Sequence, residues 1–346
     1  MRTGEDACPT PVSGTAGVSP ARPRELVGLT TLVPIEVLFA AGKQPVDLNN
    51  VFVSSDRFAQ FMHAAERDGF PDTSCAWLKG IYGVVALDRP VETVVAVTFG
   101  DCSDTHALME HLKTIGIRVV PFAYLRDKLQ EEIEKLMDVF GVSWEAVHAA
   151  HAELQEVRRR VWQIDEWTWR DGTVSGLDNH IFQVEASDMG GDLEAYRERV
   201  FALTPGEPIN PQGVRLGILG VPPVFPADLY HFLEGPCGAK VVFNEVQRQF
   251  SLPLDCEMVE QYRRFTYPYG IDCRLADIRH EVERRRIDGL IHYTQAFCFR
   301  EMLDPLIRRA VGVPVLTLTG AQSRTLGAGL QTRLEAFVDM LTMRRV

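Results

Sequence analysis

The fold class that this 346-residue sequence predicts is α/β with parallel sheets, and three observations predict it. β-branched apolar runs such as "ETVVAVTFG" (92–100) and "DGLIHYT" alternate with segments of helical periodicity. The connections between them are short, as β-α-β units require. Two such modules flank a long stretch with helical periodicity throughout.

Taken in order, residues 1–27 carry Pro, Gly, Ser and Thr without an apolar core, and read as a disordered leader rather than a secretory signal. The first module, 28–128, begins with "VPIEVLFAAGKQPVDLNN", a short amphipathic helix stopping at Gly42. "RFAQFMHAAERDGF" is helical with Gly69 as its stop, and "GIYGVVALD" fits helix or strand. The strand at 92–100, the helix in "DCSDTHALMEHLKTIG" and the strand "IRVVPFAY" then complete a β-α-β unit. The helical region, 129–205, contains "LRDKLQEEIEKLMDVFG", a second helix opened by the cap residue Ser143, and "AYRERVFAL". "TPGEPINPQG" (204–213) is a Pro/Gly linker. The second module, 206–346, reads as strand "VRLGILG", helix "PADLYHFLEGPCG", strand "AKVVFNE", helix 274–286, strand "DGLIHYT", helix 300–311, strand "VPVLTLTG" and a final helix over about 325–343.

Composition excludes several classes. A net charge of −11 argues against nucleic-acid and anionic-membrane partners, which need clustered positive charge. The two basic triplets, Arg158–Arg160 and Arg284–Arg286, are expected on solvated helix faces, and so are His148 and His151. No apolar run reaches the length of a membrane span. A cytoplasmic protein with reduced thiols is expected. There is no G-x-G-x-x-G, no P-loop lysine and no G-x-S-x-G, so nicotinamide, nucleotide-phosphate and hydrolase-elbow chemistry lack their signatures.

Seven cysteines need another account, and none forms a C-x-x-C pair. Cys102 and Cys298 each follow a strand and precede a helix, and Cys75 opens a helix-like segment after Pro-Asp-Thr-Ser. Parallel sheets collect ligands beyond their carboxyl ends, and helix N-termini favour thiolates. Separated by 27 and 196 positions, the three thiols are candidates to converge in one cleft. Three thiolates can hold three irons of a 4Fe-4S cluster and leave the fourth open to substrate. The same residues also suit buried cysteines acting as small hydrophobes.

The ordered set "VPIEVLFAAGKQPVDLNN", "DTSCAWLKG", "GDCSDTHALMEHL", "GILGVPP", "GAKVVFNE", "DGLIHYTQAFCFREMLDPLI", "VPVLTLTG" and "TRLEAF" resembles the D-component family of 2-hydroxyacyl-CoA dehydratases and benzoyl-CoA reductase subunits over about residues 30–343. The resemblance implies two Rossmann-like modules with a 4Fe-4S cluster in the cleft between them, held here by Cys75, Cys102 and Cys298. It further implies an acyl-CoA substrate, a homologous subunit completing a homo- or heterodimer, and an ATP-hydrolysing iron–sulfur activator. The activator injects one electron, giving a ketyl radical that expels the hydroxyl as water. Two alternatives come with the same family. One is an electron-relay or reductase subunit whose cluster does not bind substrate. The other is a double-cubane eight-iron cluster that adds Cys237, Cys256 and Cys273. Where relatives are expected to carry acids near Leu316-Thr317-Leu318, this chain has Thr319-Gly320-Ala321.

Other polar candidates are fewer. "SGLDNH" and "ASDMGGD" read as a polar connection, with Asp178, His180 and Asp188 as cleft candidates and His180 the acid–base group among them. Glu245 ends its strand at the same kind of mouth as Cys102, and is a candidate substrate or supporting contact. "GILG" leading into Pro222-Pro223 reads as a tight turn.

Overall fold

The computed structural model describes residues 25–295, 297–320 and 324–345. The first module runs β1 (Leu26–Leu29), α1 (Ile35–Ala40), β2 (Gln44–Asp47), α2 (Leu48–Ser54), α3 (Phe58–Arg67), α4 (Ala76–Asp88), β3 (Thr93–Phe99), α5 (Thr105–Thr114) and β4 (Arg118–Ala123). The helical region follows with α6 (Leu129–Phe140), α7 (Trp144–Glu166), α8 (Gly176–Glu185) and α9 (Leu193–Ala202). The second module runs β5 (Arg215–Gly220), α10 (Pro226–Glu234), β6 (Lys240–Asn244), α11 (Met258–Arg263), α12 (Ile271–Arg284), β7 (Gly289–Gln295), α13 (Asp304–Ala310), β8 (Val315–Gly320) and α14 (Ala328–Arg344).

Each module holds one four-stranded parallel sheet, and the two share a strand order: β2-β1-β3-β4 and β6-β5-β7-β8. The chain therefore leaves β1 and β3 toward opposite edges, and likewise β5 and β7. That reversal opens a crevice at the carboxyl ends of the central pair, where parallel sheets bind ligands. The central strands are largely buried on both faces (β7 along its whole length), as sheets covered on both sides require. One core cluster joins α2–α4 of the first module to β5, α10 and α14 of the second, so the modules share apolar packing.

Several sequence expectations need correction. β1 begins at Leu26, two residues inside the segment assigned to the leader, because Val27 and Leu29 are buried against β3. β2 falls within "GKQPVDLNN", where no strand was expected; Pro45 is tolerated because β2 is an edge strand. "GIYGVVALD" is helical. The polar connection after Ser175 is α8, with the Ser175 hydroxyl accepting from Asp178 N at 3.0 Å.

Neither basic triplet is a uniform solvated face. At 3.6 residues per turn three consecutive side chains point in different directions. Arg158 turns inward and pairs with Glu36 at 2.6 Å, both fully buried, and Tyr262 donates to the other Glu36 oxygen at 2.7 Å. Arg285 turns inward to Asp165 at 2.6 and 2.9 Å and also meets Glu281. His148 is exposed and stacks on Trp144, as a solvated face allows. His151 instead meets Gln261 of α11 at 2.9 Å.

Helices α3 and α4 pack too closely for a side chain at Gly83, whose added Cβ would lie 2.1 Å from the Phe61 carbonyl oxygen. Gly83→Ala is expected to lower stability by about 1–3 kcal/mol, read from a urea unfolding curve. Acid provides a second test. Burial raises the Glu281 carboxyl, but the guanidiniums of Arg248 and Arg285 and hydrogen bonds from Arg284 and Arg285 outweigh it and hold the group at about 2. Its folded value lies below its unfolded one, so its contribution is complete above the ordinary value of 4.5 and is lost as pH falls toward 2. Glu281→Gln should remove about 3 kcal/mol at neutral pH and flatten the acid limb of the stability curve over that window.

Candidate functional site

The carboxyl ends of the central strands of both sheets open onto one cavity of about 120 Å³. Thr30 and Thr31 reach it after β1, Asp101 and Cys102 after β3, Val221 to Pro223 after β5, and Cys298 to Arg300 after β7. Cys75 enters from the N-terminus of α4, and His180 from α8. A drug-sized ligand occupies a pocket of roughly 300 Å³ or more. This cavity instead suits a compact group or the reacting end of a longer molecule. A larger groove of about 840 Å³ adjoins it, and Asp101, Tyr267, Phe299 and Arg300 line both.

Cys75, Cys102 and Cys298 thus stand around one space, in free form. Cys75 immediately precedes α4, Cys298 immediately precedes a short 3-10 turn (Phe299–Leu303) that leads into α13, and the Cys102 carbonyl accepts from Thr105 N at 3.2 Å as α5 begins. Burial pushes the Cys75 thiol up to about 11, against the backbone N–H groups of Leu78 and Trp77, with Cys298 and Asp101 adding repulsion. Burial and then Asp101 push Cys102 up to about 12. These two thiols stay protonated at neutral pH until a cation takes the protons' place, which is how thiol sites couple to metal loading. Among the described residues no group of three or more His, Cys, Asp or Glu closes on a point as a single ion would require. The donor set is three soft thiols framing a space, which fits an iron–sulfur cluster.

The remaining cysteines lie elsewhere. Cys237 faces α14 near Glu335 and Asp339, Cys256 lies beside Arg264, and Cys273 lines the adjoining groove next to Arg126. The six-cysteine arrangement is not assembled around the cavity. Cys8 lies outside the described residues, as does Ala321 of the Thr319-Gly320-Ala321 departure.

Of the polar candidates, His180 lines the cavity and is buried. Its Nδ1 lies 3.0 Å from the Tyr230 hydroxyl and 3.3 Å from Gln247 Nε2, and burial pulls its pKa down to about 3. At neutral pH it is an uncharged imidazole, able to accept or donate one hydrogen bond into the cavity. Asp178 is exposed and caps toward Ser175, away from the cavity. Asp188 is buried behind Asp47: its Oδ2 accepts from Asp47 N at 2.7 Å, and Ser187 donates to the Asp47 carboxylate at 2.7 Å. Burial raises both carboxyls, and repulsion from Asp47 lifts Asp188 further.

Glu245 stands apart from the cavity lining. Arg274 binds both its oxygens at 2.6 and 2.9 Å, and Gly220 N donates to one of them at 3.0 Å. These bonds tie it to α12 and to the turn after β5. Gly220 itself has φ +84, and an added Cβ would lie 2.2 Å from the Tyr293 carbonyl oxygen, so the turn of "GILG" depends on glycine.

Sequence reasoning missed Asp101, Arg300, Tyr267, Asp47, Asn49 and Asn50. Asp101 had a signal, since it adjoins Cys102; burial pushes its carboxyl up to about 6, against Arg300. Phe297, next to Cys298, is 85% exposed and sits at φ +61, a backbone region bulky residues rarely enter.

No helix among the described residues is long and apolar enough to cross a membrane. No curated protein matches the chain. The model of the family described as 2-hydroxyglutaryl-CoA dehydratase, D-component, matches residues 30–341, from the threonine after β1 to the last turns of α14. That span takes in the first module after β1, the helical region, the second module to the last turn of α14 and every residue of the cavity, and the chain belongs to the 2-hydroxyglutaryl-CoA dehydratase D-component family.

Proposed function

We propose that this chain is the cluster-bearing subunit of a 2-hydroxyacyl-CoA dehydratase-like enzyme, with Cys75, Cys102 and Cys298 as the ligands of a 4Fe-4S cluster. The observation that carries the reading is the convergence of these three thiols, from both modules, on one cavity at the carboxyl ends of the central strands. A cluster held there supplies one-electron transfer and an open iron acting as a Lewis acid on the substrate's oxygen.

The chain's own groups do the rest. The helix starts after Cys75 and Cys102 place backbone N–H groups toward the sulfurs, which favours the thiolate form once a cation is present. The cavity admits the acyl end of a thioester, and the adjoining groove is the path for its longer part. His180, held at Nδ1 and uncharged, orients the substrate hydroxyl from the side of the helical region. Glu245 acts through Arg274 and Gly220 as a positioning residue. Placing His180 and Asp101 in the same cavity favours a substrate-binding site over a relay, which needs no such groups. Family membership supports partner subunits, and the reading adds a homologous second chain, an ATP-hydrolysing iron–sulfur activator and a cytoplasmic setting.

Anaerobic purification followed by iron and sulfide analysis tests the assignment. About four irons per chain are expected, falling sharply in Cys298→Ser. About eight would replace the ligand set with the double-cubane alternative, and none after reconstitution would end the cluster reading. In the loaded protein, His180→Phe should keep its iron and lower turnover of a 2-hydroxyacyl-CoA by about 100-fold. Full turnover in that variant would remove His180 from the reaction.

A further inference from the structure

Five arginines of the described chain are buried: Arg158, Arg248, Arg274, Arg285 and Arg300. Four of them have a carboxylate in contact: Glu36 for Arg158, Asp277 for Arg248, Glu245 for Arg274, and Asp165 with Glu281 for Arg285. Arg300 has none among the described residues. Only 5% exposed, its guanidinium lies 3.5 Å above the centre of the Tyr267 ring, and its hydrogen bonds are two long ones to main-chain carbonyls. These are Tyr267 O at 3.4 Å and Asp101 O at 3.5 Å. Burying a charge without a counter-ion costs several kcal/mol, and stacking on an aromatic face offsets about 2 of them. The Asp101 carboxyl attracts it from beyond ion-pair distance and offsets it only in part, and the charge lines the cavity that the three thiols frame.

We propose that Arg300 is the counter-charge for this site, offsetting the negative charge of the three thiolates and setting the reduction potential of the cluster they hold. The inference rests on the cluster reading above. The step it bears on adds one electron from an external low-potential donor to the oxidised cluster. No bond is made or broken, and the site becomes one unit more negative. A fixed positive charge in a low-dielectric cavity favours that reduced state, and so raises the midpoint potential. Tyr267 orients the guanidinium, and Arg300 itself is a positioning group that need not touch substrate.

The test is a redox titration of anaerobically loaded protein with titanium(III) citrate, followed by electron paramagnetic resonance, on wild type, Arg300→Gln and Arg300→Lys. Iron per chain is measured alongside. Arg300→Gln should titrate at a more negative midpoint, with roughly a tenfold lower ratio of reduced to oxidised cluster at the wild-type midpoint. Arg300→Lys, which keeps the charge, should titrate near wild type. Loss of iron from the Gln variant alone would support the same role, since the thiolates would then have lost their counter-charge. A fully loaded Gln variant with the wild-type midpoint overturns the proposal. So does a Lys variant shifted or emptied as far as the Gln variant, because shape rather than charge would then matter. Iron absent from the wild type would instead sink the cluster reading, an outcome distinguishable from either.

Discussion

The molecule depends on one constraint: in each sheet the two central parallel strands send the chain off in opposite directions. β1 and β3 part at their carboxyl ends, as do β5 and β7, so neither crevice is closed by its own connections. Both crevices give onto the same cavity. The groups that follow strands, from the threonines after β1 to the cysteine and arginine after β7, get their position from strand pairing, and helices α4 and α8 bring Cys75 and His180 to meet them. Such pairing is rigid, because the strands are buried on both faces and a one-residue slip would turn apolar side chains out of their packing.

Buried ion pairs hold the helical region in register with the sheets. Glu36 of α1 meets Arg158 of α7, and Asp165 at the end of α7 meets Arg285, which also donates to the Val242 carbonyl of β6 at 2.7 Å. The Coulombic gain of such pairs is largely cancelled by desolvation, so their contribution to net stability is small beside that of the apolar core. What they penalise is misplacement, since a helix shifted by one turn would leave a charge unpaired in the interior. The same logic makes Arg300 conspicuous, as the one buried arginine that makes no ion pair with a carboxylate among the described residues.

Much of this was legible in the sequence because strands that end in polar residues before a helix have a defined place in a parallel sheet. "ETVVAVTFG" before Cys102 and "DGLIHYT" before Cys298 put those thiols at the mouth without any knowledge of the sheet order. Other features were not legible, each for a physical reason. β2 is four residues long and contains a proline, so no periodicity marks it. Arg158 and Arg285 sit in basic triplets whose composition is the same whichever way the helix is turned. His180 looked like part of a loop because Gly176 and the glycines at 190 and 191 weaken the helical pattern. Yet Gly176 is required where an added Cβ would lie 2.7 Å from Val241. Arg300 was invisible because its significance lies in a partner it lacks.

The wide spacing of the three thiols along the chain bears on how the protein is made. Cys75 and Cys102 precede the whole helical region, whereas Cys298 comes after β5 and β6, and β8 must still follow to flank its strand. A nascent chain interrupted before β7 holds two thiols beside a half-built wall, with the apolar surface of β5 uncovered on one side. The cavity is complete only when the last module has folded against the first, since chains are made from the N-terminus onward. A ligand that needs all three thiols would therefore bind only the finished fold, in which the two modules have already found each other.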